Sequence, residues 1–215
     1  MKRNNIFKLI IPNTRTNIIA FSVFIIGIIT GSIFIMVINT NDKSLVVEHI
    51  TKFFSNVNSS DYSYLDSLKN MLSLNYFYVI VIWVLGLSIL GILVNIFLTY
   101  LKGFIIGFTT SSLIITYGFK SILAVILYII PHTLINSLVI IILTIYSITF
   151  SRYLLIQIFQ KKDMKTKNFM KKYLIILLIA VALTLVSSIS EVYLFPFLLK
   201  LIIQLYVWTT IIPNK

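Results

Sequence analysis

The chain has no cysteine, which excludes disulfides, iron–sulfur clusters and thiolate zinc sites. Histidine is nearly as scarce: His49 and His132 are the only two, on different segments, whereas a metal site needs three or four ligands. Charged residues make up 11% of the 215, and only six of them are acidic. Five of those acids, Asp163 and four within 39–74, fall in polar stretches, leaving Glu191 as the only acid beside an apolar run. Serines are plentiful, but none has a histidine and an acid at a recognisable spacing, although a triad assembled from distant segments leaves no local signature. The sequence also lacks a His-x-x-x-His pair, a phosphate-binding glycine loop and a nucleophile elbow. The expectation is a protein without cofactor, metal or catalytic group, and so not an enzyme.

What the chain has in excess is apolar surface. It is 59% hydrophobic with a mean hydropathy of +1.00, against about 45–50% apolar and about 25% charged residues in soluble domains. A water-soluble fold of this length has no interior large enough for that surface, so lipid is part of the solvent. The reading is all-α: a polytopic transmembrane helical bundle of about five spans.

The apolar runs place the spans. Residues 17–38 carry no charge; about 20 helical residues cross the ~30 Å hydrocarbon core, and the run exceeds a signal peptide's h-region. The next spans are 76–100, closed by Lys102, and 103–118, closed by Lys120. The fourth, 121–152, is interrupted by Pro131, His132 and Asn136 and reads as one span kinked at the proline. The fifth is 173–193. The tail, 194–215, contains Pro196, Lys200 and Gln204; it is expected in the interface, the alternative being a sixth span with a costly lysine inside it.

Residues 39–74 form the sizeable polar segment. Val46, Val47, Ile50, Phe53, Phe54 and Val57 recur at helical spacing there, 58–61 read as a turn, and Ser63 with Asp66 resembles a capping box opening a second amphipathic piece. Two short helices are expected on the membrane surface or over the bundle end, either as a cap or as a docking surface for a partner.

Net charge is +12, which in a soluble protein would raise nucleic-acid binding. Here the position of the charge points to lipid instead, and no nucleic-acid partner is expected. Lys2, Arg3, Lys8, Arg15, Lys102, Arg152 and the lysines of the 152–172 loop lie beside apolar spans. Basic residues mark the cytoplasmic face, so the N-terminus and that loop are expected inside and 39–74 outside.

The glycines are spaced for helix packing: Gly27 with Gly31, Gly103 with Gly107, and Gly86 with Gly91 notching the second span. Small residues four apart share a face and let backbones approach, either within the bundle or, through Gly27 and Gly31, between two copies. Pro131 frees a backbone carbonyl that His132 or Asn136 would satisfy; the alternative is a polar pocket, with Asn95 joining the two on the path of a small transporter. Glu191 is expected to pair with Lys120 or Lys200, or to meet a partner's basic group.

Several short stretches together resemble the stage II sporulation protein M family. They are Gly27-Ile28-Ile29-Thr30-Gly31 in the first span, Trp83-Val84-Leu85-Gly86-Leu87-Ser88, and Leu101-Lys102-Gly103 followed by Gly107-Phe108-Thr109. Ile130-Pro131-His132 and Ser187-Ser188-Ile189-Ser190-Glu191 with Pro196 complete the series. Their order and spacing agree along essentially the whole chain. Thr133 and Asn136 depart from the pattern, standing where many wider-family members carry glycine and glutamate, which favours a structural role for that element. The resemblance implies a protein of the mother-cell membrane at the sporulation septum. It also implies that the protein acts in forespore engulfment by recruiting the peptidoglycan-degrading stage II sporulation proteins P and D.

Overall fold

The computed structural model describes residues 13–58, 63–118, 122, 130–160 and 166–194. Those residues form six α-helices and no strand: α1 Thr14–Val37, α2 Thr40–Asn58, α3 Tyr64–Gly86, α4 Gly91–Tyr117, α5 Ile130–Gln160 and α6 Thr166–Ile189, the last continuing into a π-helical turn, Ser190–Leu194. Five helices are long and apolar enough to cross a bilayer, with windows inside α1, α3, α4 and α5 and a fifth over Phe169–Tyr193. The chain is a multi-pass membrane protein.

Burial supports this assignment. Ile18, Ile25, Ile29, Phe77, Leu93, Phe97 and Leu178 are each half or more exposed on the outside of the bundle. Asn95, Thr99, Thr144, Ser147, Ser151, Ser187 and Ser188 have no exposed surface. A protein folded in water hides the first set and displays the second. In lipid the outer face meets hydrocarbon, and polar groups find partners only between helices.

The helix ends follow local chemistry. At the start of α1 the Asn13 side chain accepts from the Arg15 amide at 3.5 Å. Ile38 then takes extended backbone and ends the helix, its N–H donating to Phe34 O at 3.1 Å. Ser63 caps α3: its hydroxyl accepts from the Asp66 N–H at 3.4 Å and donates to the Asp66 carboxylate at 2.7 Å. The capping box expected from the sequence therefore opens a spanning helix, because the amphipathic turns from Tyr64 run without a break into the apolar segment.

That continuity corrects the second and third spans. The expected 76–100 run is divided by a tight turn at 87–90, and the spans are Tyr64–Gly86 and Gly91–Tyr117. Leu87 N–H donates to Val84 O at 3.0 Å, Ser88 N–H to Leu85 O at 2.9 Å and Gly91 N–H to Ser88 O at 3.2 Å. Gly91 is required there, since a Cβ would overlap the Leu85 carbonyl. Lys102, expected at a membrane surface, instead stands near the middle of α4. The fourth span is also displaced: α5 begins at Ile130, so Pro131 sits in its first turn, where a missing N–H costs nothing, and does not kink a helix interior. Residues 123–129, the 161–165 part of the basic loop and the 195–215 tail lie outside the described residues.

α5 is the central helix, packed by α1, α3, α4 and α6; 67% of its spanning window is buried, against at most 28% in the others. Val79 and Ile82 of α3, Val139, Ile140 and Leu143 of α5, and Ala180 of α6 form the main apolar core. Phe150, Phe169 and Tyr173 form a second cluster between α5 and α6, with Phe150 and Tyr173 stacked at 4.8 Å.

Candidate functional site: a polar seam inside the bundle

α1 and α4 run parallel at backbone contact. A Cβ on Gly27 would overlap Tyr100 O, one on Gly31 Phe104 O, one on Gly103 Phe24 O, and one on Gly107 Ile28 O. These four glycines therefore join α1 to α4 within one chain; they do not present a free face to a second copy. Thr30 Oγ1 lies 3.0 Å from Tyr100 Oη, and the Ser32 hydroxyl donates to Gly107 O at 3.3 Å. Phe34 and Phe104 flank the contact with ring centres 5.4 Å apart.

The neighbouring face of α4 meets α5 and is polar. Asn95, Thr99 and Lys102 are spaced four and three residues apart and share a face. Thr144, Ser147 and Ser151 make the matching stripe on α5. Nearest the 87–90 turn, Ser151 Oγ lies 2.9 Å from Gly86 O and 2.8 Å from Ser88 O, one hydroxyl shared by two carbonyls at the end of α3. These are carbonyls that a helix terminus leaves short of donors. One turn deeper, Ser147 Oγ and Asn95 Nδ2 each donate to Ile82 O at 3.2 Å, and Asn95 Nδ2 also donates to Ser147 Oγ. Deeper still, Thr99 Oγ1 donates to Asn95 O at 2.8 Å. It also stands 2.9 Å from Thr144 Oγ1, a hydroxyl–hydroxyl bond in which either oxygen can donate.

Lys102 follows one turn beyond Thr99. Its Nζ lies 5.5 Å from the centre of the Tyr78 ring on α3, and it is attracted electrostatically by Glu191 in the π-helical turn. Both residues are half-buried. Charges at span depth are costly unless compensated; here the compensation is the opposite charge and the ring face. Around them, Asn75 Nδ2 donates to Ser188 Oγ at 3.1 Å, Ser187 and Ser188 are buried, and Tyr64 stacks on Tyr193 at 5.6 Å. π-helical turns inside longer helices often mark functional positions. The α3–α6 contact is also polar at the turn end. The Tyr173 hydroxyl donates to Trp83 O at 2.9 Å and Trp83 Nε1 to Tyr173 O at 3.3 Å. A Cβ on Gly86 would overlap the Tyr173 and Ser147 hydroxyl oxygens.

The structure thus brings Gly27, Gly31, Gly103 and Gly107 together, sets Gly86 and Gly91 either side of the turn, and places Glu191 beside Lys102. The expected pairing of Glu191 with Lys120 or Lys200 involves residues outside the described part of the chain. Asn136 is buried on α5, two turns before Thr144 in the chain, with Ile140 between them on the same face. Pro131 and His132 occupy the first turn of α5 with side chains outside the described residues, as is Pro196. Sequence reasoning missed Lys102, Tyr78, Asn75, Thr99, Thr144, Ser147 and Ser151 as one assembly. The signal was available: polar residues at helical spacing within two otherwise apolar runs.

Among the described residues no cluster of three or more His, Asp or Glu side chains is placed to hold a metal ion. Chemically, the seam is a row of hydroxyl and amide groups ending in a charge pair. The family model described as stage II sporulation protein M matches residues 20–196. No curated protein and no solved structure matches the chain.

Proposed function

The chain belongs to the stage II sporulation protein M family, and on that premise we propose that it is a non-enzymatic membrane scaffold of the sporulation septum. In this reading it localises the peptidoglycan-degrading stage II sporulation proteins P and D at the mother-cell membrane during forespore engulfment. The observation that carries the reading is α2. This helix of 19 residues is held outside the five spans and touches the rest of the structure sparingly, against α4. Lys43 Nζ donates to Met36 O at 3.0 Å at the end of α1. Leu45, Glu48, His49 and Lys52 are exposed, with a Lys52–Glu48 pair at 2.6 Å. A rigid bundle carrying one projecting polar helix suits a protein that positions others. Tethering partners in the plane of the membrane raises their effective concentration, so modest contacts suffice.

Orientation belongs to the same proposal. The start of α1, the 87–90 turn, the end of α5 and the start of α6 share one end of the bundle, and in the sequence eleven of the eighteen basic residues precede α1, open it or fall within 152–172: Lys2, Arg3, Lys8, Arg15, Arg152, Lys161, Lys162, Lys165, Lys167, Lys171 and Lys172. By the positive-inside bias that end is cytoplasmic and α2 faces the wall. Photocrosslinking from Leu45 and Lys52 in sporulating cells is expected to capture the hydrolase complex. Normal engulfment after deletion of the gene overturns the reading.

A second reading, a small transporter or transporter subunit, draws support from the buried polar seam. Its path would follow α4 and α5 instead of the Pro131, His132 and Asn136 region. Solute flux in liposomes containing the pure chain, lost on Thr99→Val, distinguishes it from the scaffold.

A further inference from the structure

We propose that the α4–α5 seam is a hydrated half-channel: a file of water that enters at the 87–90 turn and ends at the Lys102–Glu191 pair. The proposal stands on the geometry of the seam and holds for a scaffold and a transporter alike.

The first observation is Asn95. Its side chain is fully buried, and its Oδ1 has no hydrogen-bond partner among the described residues. The amide cannot be turned round to cure this. Nδ2 faces the Ile82 carbonyl, and the reversed orientation would set oxygen against oxygen. A buried carbonyl oxygen held away from protein donors is a position at which folded proteins place water.

The second observation is continuity. Ser88, at the mouth, is exposed. From there Ser151, Ser147 with Asn95, and Thr99 with Thr144 follow at intervals of about one helical turn, each hydroxyl or amide able to bind water. On that face of α4 Lys102 is followed by Ile106, which packs against the apolar cluster of Ala20, Phe24, Ile141 and Ile145, before Thr109 and Thr110 resume polar character. On α5 the polar stripe is interrupted after Thr144 by Ile140, which packs with Val79 and Ile82 in the apolar core; Asn136 and Ser137 lie beyond it. The seam is therefore open in chemistry toward the turn and interrupted past Lys102 by Ile106 and Ile140.

The third observation is Lys102 itself. Its Nζ stands 5.5 Å from the centre of the Tyr78 ring near the middle of α4, and a ring face alone does not solvate the ammonium. Water reaching Lys102 through the seam supplies the missing solvation without a polar surface facing lipid.

The lack of native cysteine makes the test direct, because each introduced thiol reports alone. Single variants Thr99→Cys (seam), Ser88→Cys (mouth) and Phe97→Cys (lipid face) are exposed to silver ion, close in size to water, in spheroplasts and in inverted vesicles. Protected thiols are then counted by maleimide labelling after denaturation. Thr99→Cys is expected to be protected within about tenfold of the Ser88→Cys rate and only from the face at which Ser88→Cys reacts, while Phe97→Cys lags by about a hundredfold, because the reactive thiolate forms in water. Thr99→Cys as slow as Phe97→Cys means a dry, purely adhesive seam and overturns the proposal. Reaction of Thr99→Cys from the opposite face overturns the half-channel. If Thr99→Cys fails to fold, Ser147→Cys, which exchanges one oxygen for sulfur, carries the same expectation.

Discussion

Replacing Gly107 by alanine tests the α1–α4 contact at its tightest point. The new Cβ would overlap Ile28 O and stand 2.8 Å from the Ile28 carbonyl carbon and 2.9 Å from its Cα. All three neighbours are backbone atoms of a helix, so no rotamer change relieves the clash; α1 must move away by roughly an ångström to restore ordinary contact. That movement also loosens the Ser32–Gly107 hydrogen bond, 3.3 Å long, and the Phe34–Phe108 ring contact at 6.2 Å. Overpacking of this kind costs about 1–3 kcal/mol. Against it stands a gain of about 0.5–1 kcal/mol from replacing a glycine within a helix. The net expectation is a loss of about 1–2 kcal/mol, and more for Gly107→Leu. Reversible unfolding in mixed micelles with increasing SDS measures it, with Ile105→Ala as the control, since Ile105 is 47% exposed on the lipid side of the same helix. A Gly107→Ala protein as stable as the original refutes the argument, because the clash would then cost no more than the propensity gain of about 0.5–1 kcal/mol that it opposes.

Lys102→Met should destabilise the bundle by about 1–3 kcal/mol by leaving Glu191 at span depth without its cation, and adding Glu191→Gln should restore part of the loss; a coupling below about 0.5 kcal/mol in the double-mutant cycle would show that the two groups act independently. Ser151→Ala removes the donor shared by Gly86 O and Ser88 O and should cost about 1–3 kcal/mol, read in the same SDS titration. Gly118→Ala meets no atom within 4 Å but forces a Cβ onto φ 69°, ψ −164°, a region kept for glycine, for about 1–3 kcal/mol in the same SDS titration. Leu45→Ser with His49→Ser on the exposed face of α2 should leave the unfolding midpoint unchanged and reduce hydrolase recovery in pull-downs from sporulating cells; full recovery would remove α2 from the proposed interface.

The number of spans was legible because bilayer thickness fixes the length of an apolar run, and the glycine pairs were legible because four-residue spacing puts small residues on one face. What misled was Lys102. Read alone, a lysine in an apolar stretch is so costly that it serves as a boundary marker, which moved the end of the second span fourteen residues past Gly86, to Tyr100. Its cost is offset by Tyr78 and Glu191, which are 24 and 89 positions away in the sequence, and a local window does not contain them. The real boundary had only a quiet signal, Gly86 and Gly91 around Leu87-Ser88-Ile89-Leu90, because the carbonyls exposed there are met by Ser151 from a distant helix and not by a polar loop. The polar stripes were missed for a related reason: Thr144, Ser147 and Ser151 are small residues that barely change the average hydropathy of their run, and on α4 the boundary reading of Lys102 separated it from Asn95 and Thr99.

The adjacency of Lys102 and Gly103 shows why α4 organises the fold. Successive helical residues point about 100° apart, so these two neighbours address different partners. Gly103 lets α4 touch the α1 backbone at Phe24 O, and Lys102 reaches Tyr78 on α3 and Glu191 after α6. Thr99, one turn earlier, bonds to α5. Within five residues α4 therefore engages all four other spans. Translating or rotating α4 enough to improve any one contact breaks the others, and that mutual constraint makes a charge pair tolerable within the bundle. Held in this way, α4 fixes the depth of α1, to whose end α2 is joined, so the position of the projecting helix depends on the same few residues.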